Sequence, residues 1–154
     1  MQRRSFLKGS LAGSAVAVAV GAGLLSPRSV LAAWPSAAFE AKSVQEALNG
    51  VLGSADNTPS GDIAIKAPDI AENGAVVPVT IETKLSGIES IALLAEANGQ
   101  PLAANFVMSS STKGYVATRI KMGKTSDVIA VVKTSNGTFS ARKNVKVTIG
   151  GCGG

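Results

Sequence analysis

Asn144-Val145-Lys146-Val147-Thr148-Ile149 runs directly into Gly150-Gly151-Cys152-Gly153-Gly154, and the fold and the chemistry of the chain meet at that junction. Val145, Val147 and Ile149 alternate with Lys146 and Thr148, the period of two that puts three apolar side chains on one face of a strand. Working back, the same period predicts strands near Ile63 to Ala67, Val76 to Lys84, Ile88 to Ala97, Leu102 to Met108, Tyr115 to Met122, Asp127 to Ser135 and Thr138 to Ile149. Asp127 to Val132 is apolar on both sides after its first residue, as a central strand should be. Asn73-Gly74, Asn98-Gly99 and Asn136-Gly137 separate strand-like runs and suit type I′ hairpin turns. Pro68 and Pro78 are expected at edges or strand ends. About seven short strands with no helices between them predict a mostly β, immunoglobulin-like antiparallel sandwich.

Ahead of the strands, Trp34 to Gly53 carries a helical pattern, with Phe39, Val44, Leu48, Val51 and Leu52 near one side. Pro35 and Ser36 suit its start and Gly53 its end, while Gly50 leaves a stop near Leu48 open. The domain is therefore expected over residues 33–149, as an N-terminal helix and a sandwich.

Residues 150–154 are the opposite of a strand. Cys152 is the single cysteine of the 154 residues, and Gly150, Gly151, Gly153 and Gly154 flank it. Glycine adds no side chain and restricts the backbone least, so the segment is expected to be a flexible arm that leaves the thiol accessible. Five residues beyond Ile149 reach about 17 Å when extended, enough to enter another protein's active-site channel. The nearest cation in sequence is Lys146, and a terminal carboxylate at Gly154 disfavours a thiolate. Cys152 is thus expected to behave as an ordinary thiol; a free cysteine ionises at about pH 8.5.

The first 32 residues have another composition. Arg3-Arg4-Ser5-Phe6-Leu7-Lys8 precedes an Ala, Gly, Val and Leu run from Leu11 to Leu25, and Val30-Leu31-Ala32 closes the segment. A basic start, an apolar middle and small residues at the end make an export signal, and Arg3-Arg4 gives it the twin-arginine form. The apolar run is shorter than the roughly 20 residues of a membrane span and is diluted by glycine, so cleavage near Ala32 is expected, with no stable membrane insertion afterwards.

Cleavage would remove 32 of the 154 residues and leave 122, enough for one domain. Of the 15 Lys and Arg, Arg3, Arg4, Lys8 and Arg28 would go with the signal, leaving 11 against 10 Asp and Glu. The basic isoelectric point belongs to the whole chain, and nucleic-acid binding does not follow from it. Residues 113–154 nevertheless hold eight bases and one acid, Asp127. Either those bases are balanced by acids elsewhere in the fold, or they attract an anion. With no histidine and one cysteine the chain offers no imidazole base, no internal disulfide and no zinc or iron–sulfur ligand set, so no cofactor, no metal and no catalysis by the isolated chain are expected. Carboxylates such as Glu89 and Glu96 suit an ordinary surface. The Gly-Gly ending also resembles ubiquitin-like sulfur carriers, but the export signal and the strand pattern argue against that chemistry.

An export signal of twin-arginine type, a β-rich domain of this size and the ending Gly150-Gly151-Cys152-Gly153-Gly154 together resemble the sulfur-carrying Y subunits of the bacterial thiosulfate-oxidising (Sox) system. That resemblance implies a periplasmic carrier, exported folded, with Cys152 as covalent attachment point and its glycines as a swinging arm. It further implies a heterodimer with a small β-sandwich subunit of SoxZ type, and visits to a haem enzyme, a metallohydrolase and a sulfane dehydrogenase. The alternative from the residues alone is an exported scaffold or adhesion module whose Cys152 forms an intermolecular disulfide. A thiol enzyme would need a base or second cysteine that the sequence does not contain.

Overall fold

The computed structural model describes residues 34–148. Two helices, α1 (Ser36–Glu40) and α2 (Val44–Leu52), precede nine strands: β1 (Thr58–Pro59), β2 (Ile63–Lys66), β3 (Ile70–Ala71), β4 (Val77–Thr83), β5 (Ile88–Ala95), β6 (Leu102–Val107), β7 (Tyr115–Ile120), β8 (Ser126–Thr134) and β9 (Gly137–Val147). They form two sheets, one of order β1-β9-β8-β5-β6 with β3 added on β9, the other of order β2-β4-β7. The mostly β, immunoglobulin-like sandwich and all seven strands expected from the period of two are present.

The larger sheet is apolar on both faces because its central strands are. Along β8, Val128, Ala130 and Val132 join the core between the sheets, while Ile129 and Val131 join a second core beneath the helices. β5 divides in the same way, Ile91, Leu93 and Ala95 facing the sandwich and Ala92 and Leu94 facing the helices. The smaller sheet has one inward face: Val77, Val79 and Ile81 are fully buried and alternate with Pro78, Thr80 and Glu82. Each such side chain contributes about 1.5–3 kcal/mol by leaving water.

Several sequence expectations need correction. The helical stretch is broken at Ala41-Lys42-Ser43, where Ser43 Oγ accepts the Glu46 amide at 3.2 Å and Glu46 Oε2 accepts the Lys42 amide at 3.2 Å. This reciprocal cap starts a new helix rather than prolonging the first. α2 continues through Gly50, where an added Cβ would lie 2.6 Å from Ala38 Cβ; the missing side chain lets the helices touch, and Gly53 at φ 81° ends the run.

Asn73-Gly74 does not make a hairpin, since β3 pairs with β9 in parallel rather than with β4. The other two Asn-Gly pairs do join antiparallel neighbours, β5 to β6 and β8 to β9. Neither is a type I′ turn, because no described non-glycine residue has a positive φ. At the β8–β9 hairpin Thr134 pairs with Gly137, so Ser135 and Asn136 are the central residues. There Thr134 Oγ1 donates to the Gly137 carbonyl at 2.9 Å and accepts the Asn136 amide at 3.2 Å. Pro78 lies inside β4, the middle strand of its sheet, opposite Arg119. It is tolerated because the β2 ladder ends at Lys66 opposite Thr80, which leaves no neighbour on that side to require its amide.

The two-residue strands β1 and β3 add to β9 in parallel, at Phe139–Ser140 and at Lys146–Val147. Two residues have no period to read, so the sequence gives no sign of them.

Candidate functional site

Sequence reasoning puts the chemistry at Cys152, on Gly150, Gly151, Gly153 and Gly154, with Arg3 and Arg4 as the export signal; all seven lie outside the described residues. What the structure describes is the base from which that segment departs.

The end of β9 is held on two sides. On one, the Lys146 amide donates to the Asp69 carbonyl at 2.9 Å and the Thr148 amide to the Ala71 carbonyl at 3.1 Å. Lys143 Nζ adds an ion pair to Asp69 at 2.9 Å. On the other side β8 stops at Ser126, and the Thr125 hydroxyl takes over the ladder. It accepts the Val147 amide at 2.9 Å and donates to the Val147 carbonyl at 3.3 Å. Below, the Met122 amide donates to the Gly74 carbonyl at 2.7 Å, and a side chain at Gly74 would strike Met122 and Val147 Cγ1. Val145 is completely buried. Chain leaving Thr148 therefore starts from a fixed point, four residues short of Cys152.

The bases of the C-terminal half fall into two groups. Arg142 pairs with Glu96 at 3.0 Å and Asp127 at 3.8 Å, Lys143 with Asp69, and Lys133 with Glu89 at 3.9 Å. Arg119, Lys121 and Lys124 have no carboxylate partner among the described residues. Lys121 and Lys124 flank Gly123, next to the Thr125 clamp. Asn98 fixes this loop: its Nδ2 donates to the Lys121 carbonyl at 2.7 Å and its Oδ1 accepts the Gly123 amide at 3.0 Å. In the sequence Asn98 reads only as a turn residue, and nothing there marks Thr125. A lone hydroxyl before a strand carries no pattern to find.

Among the described residues no group of three or more His, Cys, Asp or Glu is placed to hold a metal, and no helix is long and apolar enough to cross a membrane.

The family described as "Sulfur oxidation protein SoxY" matches residues 48–152, more than half of the chain and including Cys152. The chain belongs to the SoxY family. Among solved structures, the sulfur carrier protein SoxY from Chlorobium limicola f thiosulfatophilum is 38% identical, with a TM-score of 0.63 over 70% of this chain and 97% of that one. A superoxide reductase (neelaredoxin) from Ignicoccus hospitalis, 19% identical with a TM-score of 0.51 over 56% of this chain and 80% of that one, shares the fold alone. No curated protein sequence matches. This SoxY chain is thus a sulfur-oxidation protein of carrier type.

Proposed function

We propose that Cys152 is the covalent attachment point for thiosulfate-derived sulfur, and that residues 150–154 form an arm presenting it to partner enzymes. The observation that carries this reading is that the SoxY match extends to residue 152, the chain's single cysteine. The base of the arm supports it: a carrier needs a fixed pivot, and β9 is clamped by Ala71 and Thr125 within two residues of its end.

Loading joins the Cys152 thiol to the sulfane sulfur of thiosulfate. One S–S bond forms to give Cys–S–S–SO3⁻, one proton leaves, and two electrons pass to a haem enzyme. Hydrolysis of the terminal S–S bond by a metallohydrolase then adds water across it, releasing hydrogensulfate and leaving Cys–S–SH for a sulfane dehydrogenase. The carrier chain supplies no base or metal for either step. It keeps intermediates at high effective concentration near whichever enzyme it docks, and glycine gives a narrow channel nothing to exclude. The setting is the periplasm, reached folded by the Arg3-Arg4 signal together with a SoxZ-type subunit.

In a reconstituted thiosulfate-oxidising system, Cys152→Ser should abolish sulfate production while leaving the circular dichroism spectrum unchanged. Gly151→Val and Gly153→Val should slow turnover without unfolding the domain. Sulfate production by Cys152→Ser at the wild-type rate would overturn the proposal, and Val variants as fast as wild type would remove the arm from it.

A further inference from the structure

Beside the base of the arm lies a cleft of about 490 Å³ lined by Asn98, Gln100, Lys121, Gly123 and Lys124. A second cleft of about 310 Å³ adjoins it, sharing Asn98, Gln100 and Lys121 and bringing in Arg119. The first cleft carries the two lysines and two side-chain amides, the second sets Arg119 and Lys121 beside Phe39, Leu102, Ala103 and Ile120, and none of the three cations is neutralised by a carboxylate among the described residues. The carboxylates next along the chain, Glu96 and Asp127, are both paired with Arg142. Gln100 makes no hydrogen bond to another described residue, so its amide is available to a ligand. Lys113 and Lys146 also lack carboxylate partners but do not line either cleft. The loop's backbone is held by the two Asn98 bonds, so the ammonium groups extend from a fixed frame.

The cleft is also within reach of Cys152. Thr125, hydrogen-bonded to Val147, is the chain neighbour of Lys124. Cys152 is four residues beyond Thr148, a span of up to about 14 Å, while adjacent Cα atoms are about 3.8 Å apart. A segment of mostly glycine can turn back over that distance.

We infer that this cleft is a resting site for the sulfur oxyanion carried on Cys152, the terminal sulfonate of Cys–S–S–SO3⁻ lying against Lys121 and Lys124. The inference rests on the carrier reading above. Three oxygens sharing a negative charge match ammonium and amide donors, and these charge-assisted bonds are the stronger kind. After hydrolysis the persulfide has lost its sulfonate and with it the affinity for the cleft, so the loaded arm is held and the hydrolysed arm is released. Exposed lysines bind a free anion weakly, and the tether raises the local concentration enough for occupancy.

The test loads the full chain chemically. Tetrathionate is attacked by the Cys152 thiolate at its central S–S bond, which forms Cys–S–S–SO3⁻ and expels thiosulfate. Amide chemical shifts of the loaded protein are compared with those of protein capped by neutral iodoacetamide and of unloaded protein with equimolar sodium sulfate. Loading should move the amides of Asn98 to Gln100 and Lys121 to Lys124; the neutral cap and the free sulfate should not. In the Lys121→Gln, Lys124→Gln double variant these shifts should vanish, and 2-mercaptoethanol should strip the adduct about fivefold faster than from wild type. Loss of two cations would by itself slow attack by an anionic thiolate, so faster stripping reports a released adduct.

Unmoved amides on loading, identical shifts with the neutral cap or with free sulfate, or equal stripping rates would overturn the site. Because tetrathionate loads the thiol whether or not cells do, an absence of sulfur on Cys152 in cells would sink the carrier reading and leave this measurement readable.

Discussion

The two sheets divide the work of the molecule. The larger one is covered on both faces at its centre, where strands β5 and β8 have almost no exposed side chain over their apolar stretches. The smaller one is covered on one face only, and its edge strand β7 leads through Lys121 and Lys124 to the clamp on Val147. Stability is thus concentrated in the larger sheet, while the smaller sheet and its loops supply polar surface beside the end of β9. The lesson is about charge. Lys133, Arg142 and Lys143 on β8 and β9 of the larger sheet are paired with Glu89, Glu96, Asp127 and Asp69, whereas Arg119, Lys121 and Lys124 on and after β7 have no carboxylate partner among the described residues.

Substitutions should expose this division as a gradient. Leu94→Ala, in the core beneath the helices and completely buried, should cost about 2–5 kcal/mol in chemical denaturation, whereas Arg119→Ala on the open face of the smaller sheet should change stability by less than about 0.5 kcal/mol. Comparable losses at both positions would erase the distinction. Gly74→Val comes next: its side chain would collide with Met122 and Val147, costing about 1–3 kcal/mol and speeding hydrogen exchange at Val147 and Thr148 before the rest of β9 responds.

Thr125→Val should cost about 1 kcal/mol and raise exchange at Val147 alone, since it removes the hydroxyl that replaces β8 there. Smaller still is Arg142→Gln. Arg142 and Glu96 are 52% and 45% exposed and Asp127 is 30% exposed, so the loss should stay below about 1 kcal/mol and shrink further in high salt, where the pairs are already screened. Lys121→Gln and Lys124→Gln should leave the denaturation midpoint unmoved, because neither lysine has an acid to lose.

How much of this could be read in advance follows from which features repeat. Strand identity was legible because alternation such as Val77, Val79 and Ile81 recurs over many residues and survives any error at the ends. The central position of β8 was legible too, from an apolar run too continuous to be half exposed. The helix break was present in the letters, since Ser43 and Glu46 stand at capping-box spacing, but the apolar stripe from Phe39 to Leu52 continues past it and hides it. Turn chemistry misled at Asn73-Gly74, where β9 claims the preceding strand through contacts more than 70 residues away in sequence.

For the site, sequence singled out Cys152 because one thiol among glycines is conspicuous. The segment's base was beyond it. Asp69 and Ala71 act through backbone carbonyls that any residue type could supply and Thr125 through a single hydroxyl, and only the fold brings the three to the end of β9. Which bases are neutralised was equally beyond reach, since pairing across β5, β8 and β9 depends on register.

Intact-mass analysis of this chain isolated from cells oxidising thiosulfate, with peptide mapping of the terminal fragment, puts the most direct question to the carrier account. The account predicts thiosulfonate and persulfide additions confined to Cys152 and removed by reductant. A population with Cys152 unmodified, or present only as disulfide-linked dimers, would contradict it.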